Sequence, residues 1–368
     1  MTYASAWKTD KEVFLAADSA VTTTGETVDS LDVDTSSFGR EHFLEVVEGR
    51  RVEERVVKIF SDNKLGVAFA GSYIHAHAIA KDIFAEIQSG KSPREALDVA
   101  LFKNIIPQDR TVQLAMAYYD NGPKIINFNS REGNVIHDDQ DLVQMGNPPE
   151  EFQRRAQNWI ADIKNDGHIS NEHLTLILGI LQSYDLLNNI IEIGIGGAFT
   201  GLYVNESGLN WQPDILFIEY SGERDKHVGT CFRHDCLVIS SPTIGQSRCF
   251  TSTFLPLDSS VLHGKVNKAI QKARKLKANA EYEYVVIMSH NNNSLTVIEM
   301  KRNKRHALLW LDTFEDGERT GISTAFFPKL KSLLNDERDN GLTYIQYRKP
   351  DIKSIPEDKK TQRVIDYE

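Results

Sequence analysis

Threonine at position 2 becomes the amino terminus if Met1 is removed. A threonine hydroxyl is a weak nucleophile at neutral pH. A terminal α-amine, however, titrates near about pH 8 and can take the hydroxyl proton directly or through one water. One residue then supplies both nucleophile and base, and the chemistry is acyl transfer. Aminopeptidases clip methionine when the next side chain is small, so Thr2 needs no propeptide. A carboxylate follows in Ala16-Ala17-Asp18-Ser19, just before the polar run Thr22-Thr23-Thr24-Gly25.

The elements that must hold these groups are strands. Thr2 to Trp7 and Glu12 to Ala16 read as a hairpin across the polar turn Lys8-Thr9-Asp10-Lys11, which brings Asp18 near Thr2. Val52 to Phe60 and Leu65 to Phe69 form a second hairpin. Apolar residues recur at helical spacing from Ile74 to Ile87. Ser92-Pro93-Arg94-Glu95 is a capping box with proline at the first helical position. Strands return at Thr111 to Tyr119 and Lys124 to Phe128 across Asp120-Asn121-Gly122. Helices follow at Glu150 to Ile163 and Asn171 to Ile190, the second with Ser170 as N-cap, then strands at Phe199 to Val204 and Ile215 to Tyr220. Strands, two helices, strands, two helices, strands is the order of an α+β, four-layer α-β-β-α sandwich.

The run LAADSAVTTTG resembles the proteasome β-subunit signature, in which a similar run follows an N-terminal catalytic threonine, and the Thr2-to-Asp18 interval is the family's. KIFSDNKLGVAFAGSY is similar to the family's next block. The resemblance, over about residues 2–220, is to a divergent bacterial- or archaeal-type N-terminal-nucleophile (Ntn) hydrolase with an extra C-terminal domain. It implies Lys58 as catalytic lysine and Gly71 as oxyanion glycine. It also sets Asn147 of Met145-Gly146-Asn147-Pro148 where the family has serine. Glu192 falls where the family has aspartate, and Ile195 where it has serine before two glycines. The Lys58-to-Gly71 interval is one residue shorter than usual, and Arg55 competes for the lysine's place. Lys58 is preferred, because a guanidinium supplies positive potential but no proton relay.

The expectation is a threonine-type peptidase that cleaves amide bonds through an acyl ester on Thr2, with catalytic residues Thr2, Asp18, Lys58, Gly71, Asn147 and Glu192. The alternatives are an inactive proteasome-like scaffold and a transpeptidase or small-substrate amidase using the same site. No cofactor and no metal are expected. Peptide or protein is the substrate, and the resemblance implies a homo-oligomer, with an unfoldase or other protein as partner. Stacking is expected through the helix pairs, with Ile79, Phe84 and Leu101 as candidates for outward apolar positions.

A chain of 368 residues, 40% hydrophobic and 26% charged, suits two or three globular domains. The net charge of −10 argues against bulk nucleic-acid affinity, and no apolar run reaches bilayer length. With no signal sequence before Thr2, a cytoplasmic protein is expected. Three cysteines, Cys231, Cys236 and Cys249, read as reduced thiols, and the cluster His227, Cys231, His234 and Cys236 lacks the paired spacing of a structural zinc site. Residues 26–50 read as an inserted surface loop, and His137-Asp138-Asp139 as a solvated acidic turn. The domain expectation is 2–222 for the hydrolase, 227–348 for a smaller C-terminal α+β domain and 349–368 for a flexible charged tail. In that second domain, strands are expected at Cys236 to Ser240, Tyr284 to Met288, Leu295 to Met300 and Ala307 to Leu311. Helices are expected at Lys265 to Ala278 and Ala325 to Leu334. The basic run from Lys265 to Lys277 reads as a solvated face, since no interleaved aromatics offer base stacking.

Overall fold

A computed structural model describes residues 2–24, 46–47, 50–54, 57–165, 168, 170–188, 190, 194–213, 215–220, 229–233, 237–241, 250–253, 283–289, 294–299, 309–314, 317–322, 343–348 and 363–364. In chain order the elements are β1 (Tyr3–Lys8), β2 (Val13–Ala17), β3 (Ala20–Thr24), β4 (Val46–Val47), β5 (Arg50–Glu54), β6 (Ile59–Asp62) and β7 (Leu65–Gly71). Next come α1 (Tyr73–Gln88), α2 (Pro93–Lys103), β8 (Val112–Tyr119), β9 (Pro123–Asn129), a 3-10 turn (Ser130–Glu132), β10 (Val135–Asp138) and β11 (Leu142–Gly146). Then follow α3 (Glu150–Asn165), α4 (Ser170–Asn188), β12 (Thr200–Asn205), β13 (Gly208–Trp211) and β14 (Ile215–Tyr220). The remaining strands are β15 (Gly229–Arg233), β16 (Leu237–Ser241), β17 (Phe250–Thr253), β18 (Tyr284–Ser289), β19 (Ser294–Glu299), β20 (Leu309–Phe314), β21 (Gly317–Ile322), β22 (Thr343–Arg348) and β23 (Arg363–Val364). The class is mixed α+β.

The chain divides into two units, the first of residues 1–22, 57–178 and 193–212, the second of 23–56, 179–192 and 213–368. Two antiparallel sheets make up the first unit, in the orders β11-β1-β2-β12-β13 and β10-β9-β8-β7-β6. Alternation along β1 explains their packing. Ala4 and Ala6 face the second sheet, while Tyr3 and Trp7 turn to the opposite side. Ala4, Ala6, Leu15, Ala17, Met145 and Leu202 meet Ile59, Ala68, Ala70, Ala115 and Ala117 in one buried cluster. Small side chains let the sheets approach. A Cβ on Gly66 would stand 2.8 Å from Leu15 and 2.9 Å from Leu202.

Helices cover the other faces. On the first sheet, the Tyr3 ring meets Phe152 of α3 edge-on at 4.8 Å, and Phe14 stacks on His173 of α4 at 4.5 Å. On the second, Phe69 of β7 packs against Tyr73 of α1 at 5.7 Å. The capping box of α2 forms as its sequence predicts, between Ser92 and Glu95. Ser170 begins α4, but its hydroxyl donates to Glu12.

Several elements differ from the sequence expectation. The hairpin partner of β12 is β13, because Asn205-Glu206-Ser207-Gly208 turns the chain at once. Ile215–Tyr220 instead pairs in parallel with Tyr284–Ser289, in the second unit. Residues 142–146, for which the sequence reading names no strand, form one on the outer side of β1. Ile79 is buried, and the exposed large apolar side chains among the described residues are Ile74, Phe102 and Ile105. His137 and Asp138 lie on a strand, and the two acids are ion-paired: Asp138 to Arg94 at 2.6 Å, Asp139 to Lys8 at 2.6 Å and Lys124 at 3.1 Å.

The second unit holds the sheet β14-β18-β19-β22-β23, a three-stranded sheet β15-β16-β17 and the pairs β20-β21 and β4-β5. Within this unit Gly179 lies close to Val286 and Leu295, a distance that a Cβ would make tight. The expected helices Lys265 to Ala278 and Ala325 to Leu334 lie outside the described residues, as do His227, His234, Cys236, Cys249, most of the 26–50 insertion and most of the tail. No helix among the described residues is long and apolar enough to cross a membrane.

Candidate active site

The first strand carries Thr2 at its start, and the pairing of β1 with β2 sets Ala17 opposite Ala4. Asp18 therefore lands beside Tyr3, and its N–H donates to the Tyr3 carbonyl at 3.0 Å. Lys58, just ahead of β6, reaches the same place from the other sheet. Its ammonium donates to Asp18 Oδ1 and to the Ala20 carbonyl. Both charged residues are buried, Lys58 2% and Asp18 1% exposed.

A buried ion pair needs its remaining lone pairs satisfied, or its desolvation exceeds its Coulomb gain. The second Asp18 oxygen, Oδ2, accepts the Gly196 N–H at 2.8 Å. The Gly196 carbonyl in turn accepts the N–H groups of Ser19 (3.3 Å) and Ala20 (3.2 Å), and Ser19 Oγ accepts from Ala198 N at 2.8 Å. The 194–198 segment is thus stitched to the 18–20 turn by four hydrogen bonds. Burial pushes the Lys58 ammonium below the usual lysine range, with Asp18 opposing. Burial likewise pushes Asp18 up, against the Lys58 charge and the Gly196 N–H. The lysine holds its proton less tightly than a surface lysine does, which suits a proton relay.

Thr2 is partly exposed, and its carbonyl accepts the Asn147 N–H at 3.3 Å. Gly146, the last residue of β11, has φ +98, and a Cβ there would fall 1.7 Å from the Thr2 carbonyl oxygen. Only glycine permits that approach. Gln113 of β8 closes the link between the sheets, its Oε1 accepting the Gly146 N–H at 2.7 Å. Gln113 lies opposite Ala70, so Gly71 stands at the same end of the sheets as Thr2. Gly71 is exposed at φ +95, with the Thr111 carbonyl 2.1 Å from where a Cβ would be. The next residue, Ser72, donates its N–H to that carbonyl and begins α1.

Of the six residues expected in the site, the structure joins Asp18 to Lys58, sets Asn147 against Thr2 and brings Gly71 to their end of the sheets. Glu192 and the competing Arg55 lie outside the described residues. Ile195, where a polar residue was expected, is fully buried. The Gly196 N–H, the Ala20 carbonyl and Gln113 were not foreseen. Two are backbone groups without residue identity, and the third is a lone polar residue in a strand. Among the described residues no three His, Cys, Asp or Glu side chains group as metal ligands. No protein-family model and no curated protein sequence matches this chain.

Proposed function

We propose that this chain is an N-terminal threonine hydrolase cleaving amide bonds of peptides, built on an Ntn-type four-layer sandwich in its first unit. The observation that carries the reading is the buried Lys58–Asp18 ion pair, with Gly196 N–H on the second Asp18 oxygen and the Ala20 carbonyl on the ammonium, beneath the strand that Thr2 begins. A charge pair of this kind is costly to bury, and such sites cluster where a proton must be moved. The two facing sheets with helices packed on their other faces support the sandwich.

With Met1 removed, Thr2 Oγ1 attacks the scissile carbonyl carbon while its proton passes to the α-amine. Lys58, kept charged and placed by Asp18, stabilises the developing alkoxide and carries the proton onward. The oxyanion of the tetrahedral intermediate faces the Gly71 N–H, a contribution of about 3 kcal/mol in comparable sites. Collapse breaks the C–N bond, the leaving amine takes the proton, and an ester on Thr2 remains. Water, deprotonated by the α-amine, then releases the acid and restores the hydroxyl. An amine in place of water would make the same site a transpeptidase.

The test is covalent labelling with a peptide epoxyketone or β-lactone. The wild-type protein takes one equivalent and Thr2→Ala takes none while keeping its fold by circular dichroism. Labelling that survives in Thr2→Ala refutes Thr2 as nucleophile, and a wild-type protein that is never labelled favours the scaffold.

A further inference from the structure

Arg131 lies in the turn between β9 and β10, its backbone N–H held by Asn129 Oδ1 at 3.0 Å. Its side chain is exposed and has no carboxylate partner among the described residues. The adjacent Glu132 makes no ion pair with it and directs its two oxygens instead to Asn129 Nδ2 at 2.8 Å and His137 Nε2 at 3.4 Å. Arg131 Nη1 instead donates to Asn147 Oδ1 at 3.4 Å. Asn147 is the residue whose N–H is bonded to the Thr2 carbonyl. One asparagine therefore spans from the nucleophile's own backbone to a guanidinium.

A guanidinium has five N–H donors in a planar fork that matches a carboxylate, and the bond to Asn147 uses one of them. The side chain is exposed, and Asn147 alone stands between it and the Thr2 carbonyl in this chain of hydrogen bonds. On a chain of net charge −10, a positive group without a carboxylate partner at this end of the sheets sets a local preference for an acidic ligand.

We propose that Arg131, braced by Asn147, binds a carboxylate of the peptide substrate next to the bond that Thr2 attacks, so that this site selects acidic peptides. The inference rests on the hydrolase reading for its substrate class. The carboxylate has two sources, an Asp or Glu side chain near the scissile bond or the free carboxyl terminus of a short peptide, and the same fork serves either.

The test reads binding rather than turnover. Fluorescein-labelled hexapeptides differing only in one central Glu or Gln, each with a free or an amidated carboxyl terminus, are titrated against the Thr2→Ala protein by fluorescence polarisation. At least one acidic form should bind about tenfold or more tighter than the neutral amide, since charge-assisted hydrogen bonds contribute that much. The arm that shows the gain identifies the source. Arg131→Gln should erase the difference and Arg131→Lys should keep part of it, since lysine retains the charge without the fork. No gain for any acidic form overturns the proposal, as does a gain that survives Arg131→Gln. Because Thr2→Ala forms no acyl ester, these outcomes stand apart from labelling of the wild-type nucleophile.

Discussion

Lys58→Met tests the buried charge pair by a difference in stability. The substitution keeps the length of the stem and removes the ammonium, leaving the Asp18 carboxylate 1% exposed with the Gly196 N–H still on Oδ2. Uncompensated charges of this kind cost about 3–5 kcal/mol, a large share of the roughly 5–15 kcal/mol that holds a domain folded. The double variant Lys58→Met/Asp18→Asn buries no charge and keeps an acceptor for Gly196, so most of the loss should return. The pH dependence has a definite sign. Burial already raises Asp18 from its ordinary 3.8 against the opposing Lys58 charge, and losing that charge raises it further. A group whose folded value exceeds its unfolded value stabilises the fold at low pH, and that stability is lost as pH rises through the folded value. The single variant should therefore approach the double variant below about pH 3.8 and fall behind it towards neutrality. Urea unfolding followed by tryptophan fluorescence reads this, since Trp7, Trp159 and Trp211 all lie in the first unit. Single and double variants within about 0.5 kcal/mol of each other at pH 7, or a gap that widens towards acid, would refute the reasoning.

Gly146→Ala would drive a Cβ into the Thr2 carbonyl at φ +98, so it should cost about 1–3 kcal/mol and abolish electrophile labelling through displacement of Thr2, read by mass spectrometry and thermal melting. His173 accepts the Trp7 indole N–H at 2.9 Å, and its pKa is lowered from 6.5 to about 4, chiefly by burial. The unfolded chain takes up a proton below about pH 6.5 that the folded imidazole refuses, so roughly 3 kcal/mol of stability is lost as pH falls from there to about 4. His173→Gln keeps an acceptor for Trp7 without titrating. It should flatten this acid limb in urea unfolding, and an unchanged limb would assign it elsewhere.

Local signals were the legible ones. The β1–β2 hairpin, the Asp120-Asn121-Gly122 turn between β8 and β9, and the α2 capping box all formed as their residues predict, since each is fixed by neighbours in sequence. Long-range pairings were not. Ile215–Tyr220 looks like any apolar strand, and nothing local specifies Tyr284–Ser289 as its parallel partner. The strand Leu142–Gly146 was hidden because its glycine and the following Asn147-Pro148 read as a loop. In the site, Asp18 was legible from the hairpin and Lys58 from the motif, and the structure adds what holds them. The Gly196 N–H and the Ala20 carbonyl are backbone groups, while Gln113 and Arg131 are polar residues whose meaning comes only from what faces them.

The central claim concerns the amino terminus of the mature protein and is tested most directly by mass spectrometry of its first peptide after treatment with an epoxyketone. The account predicts that the peptide begins at Thr2 and carries the adduct on that residue, closed over both its hydroxyl and its amine. A peptide that retains Met1, or an adduct on any other residue, would contradict it.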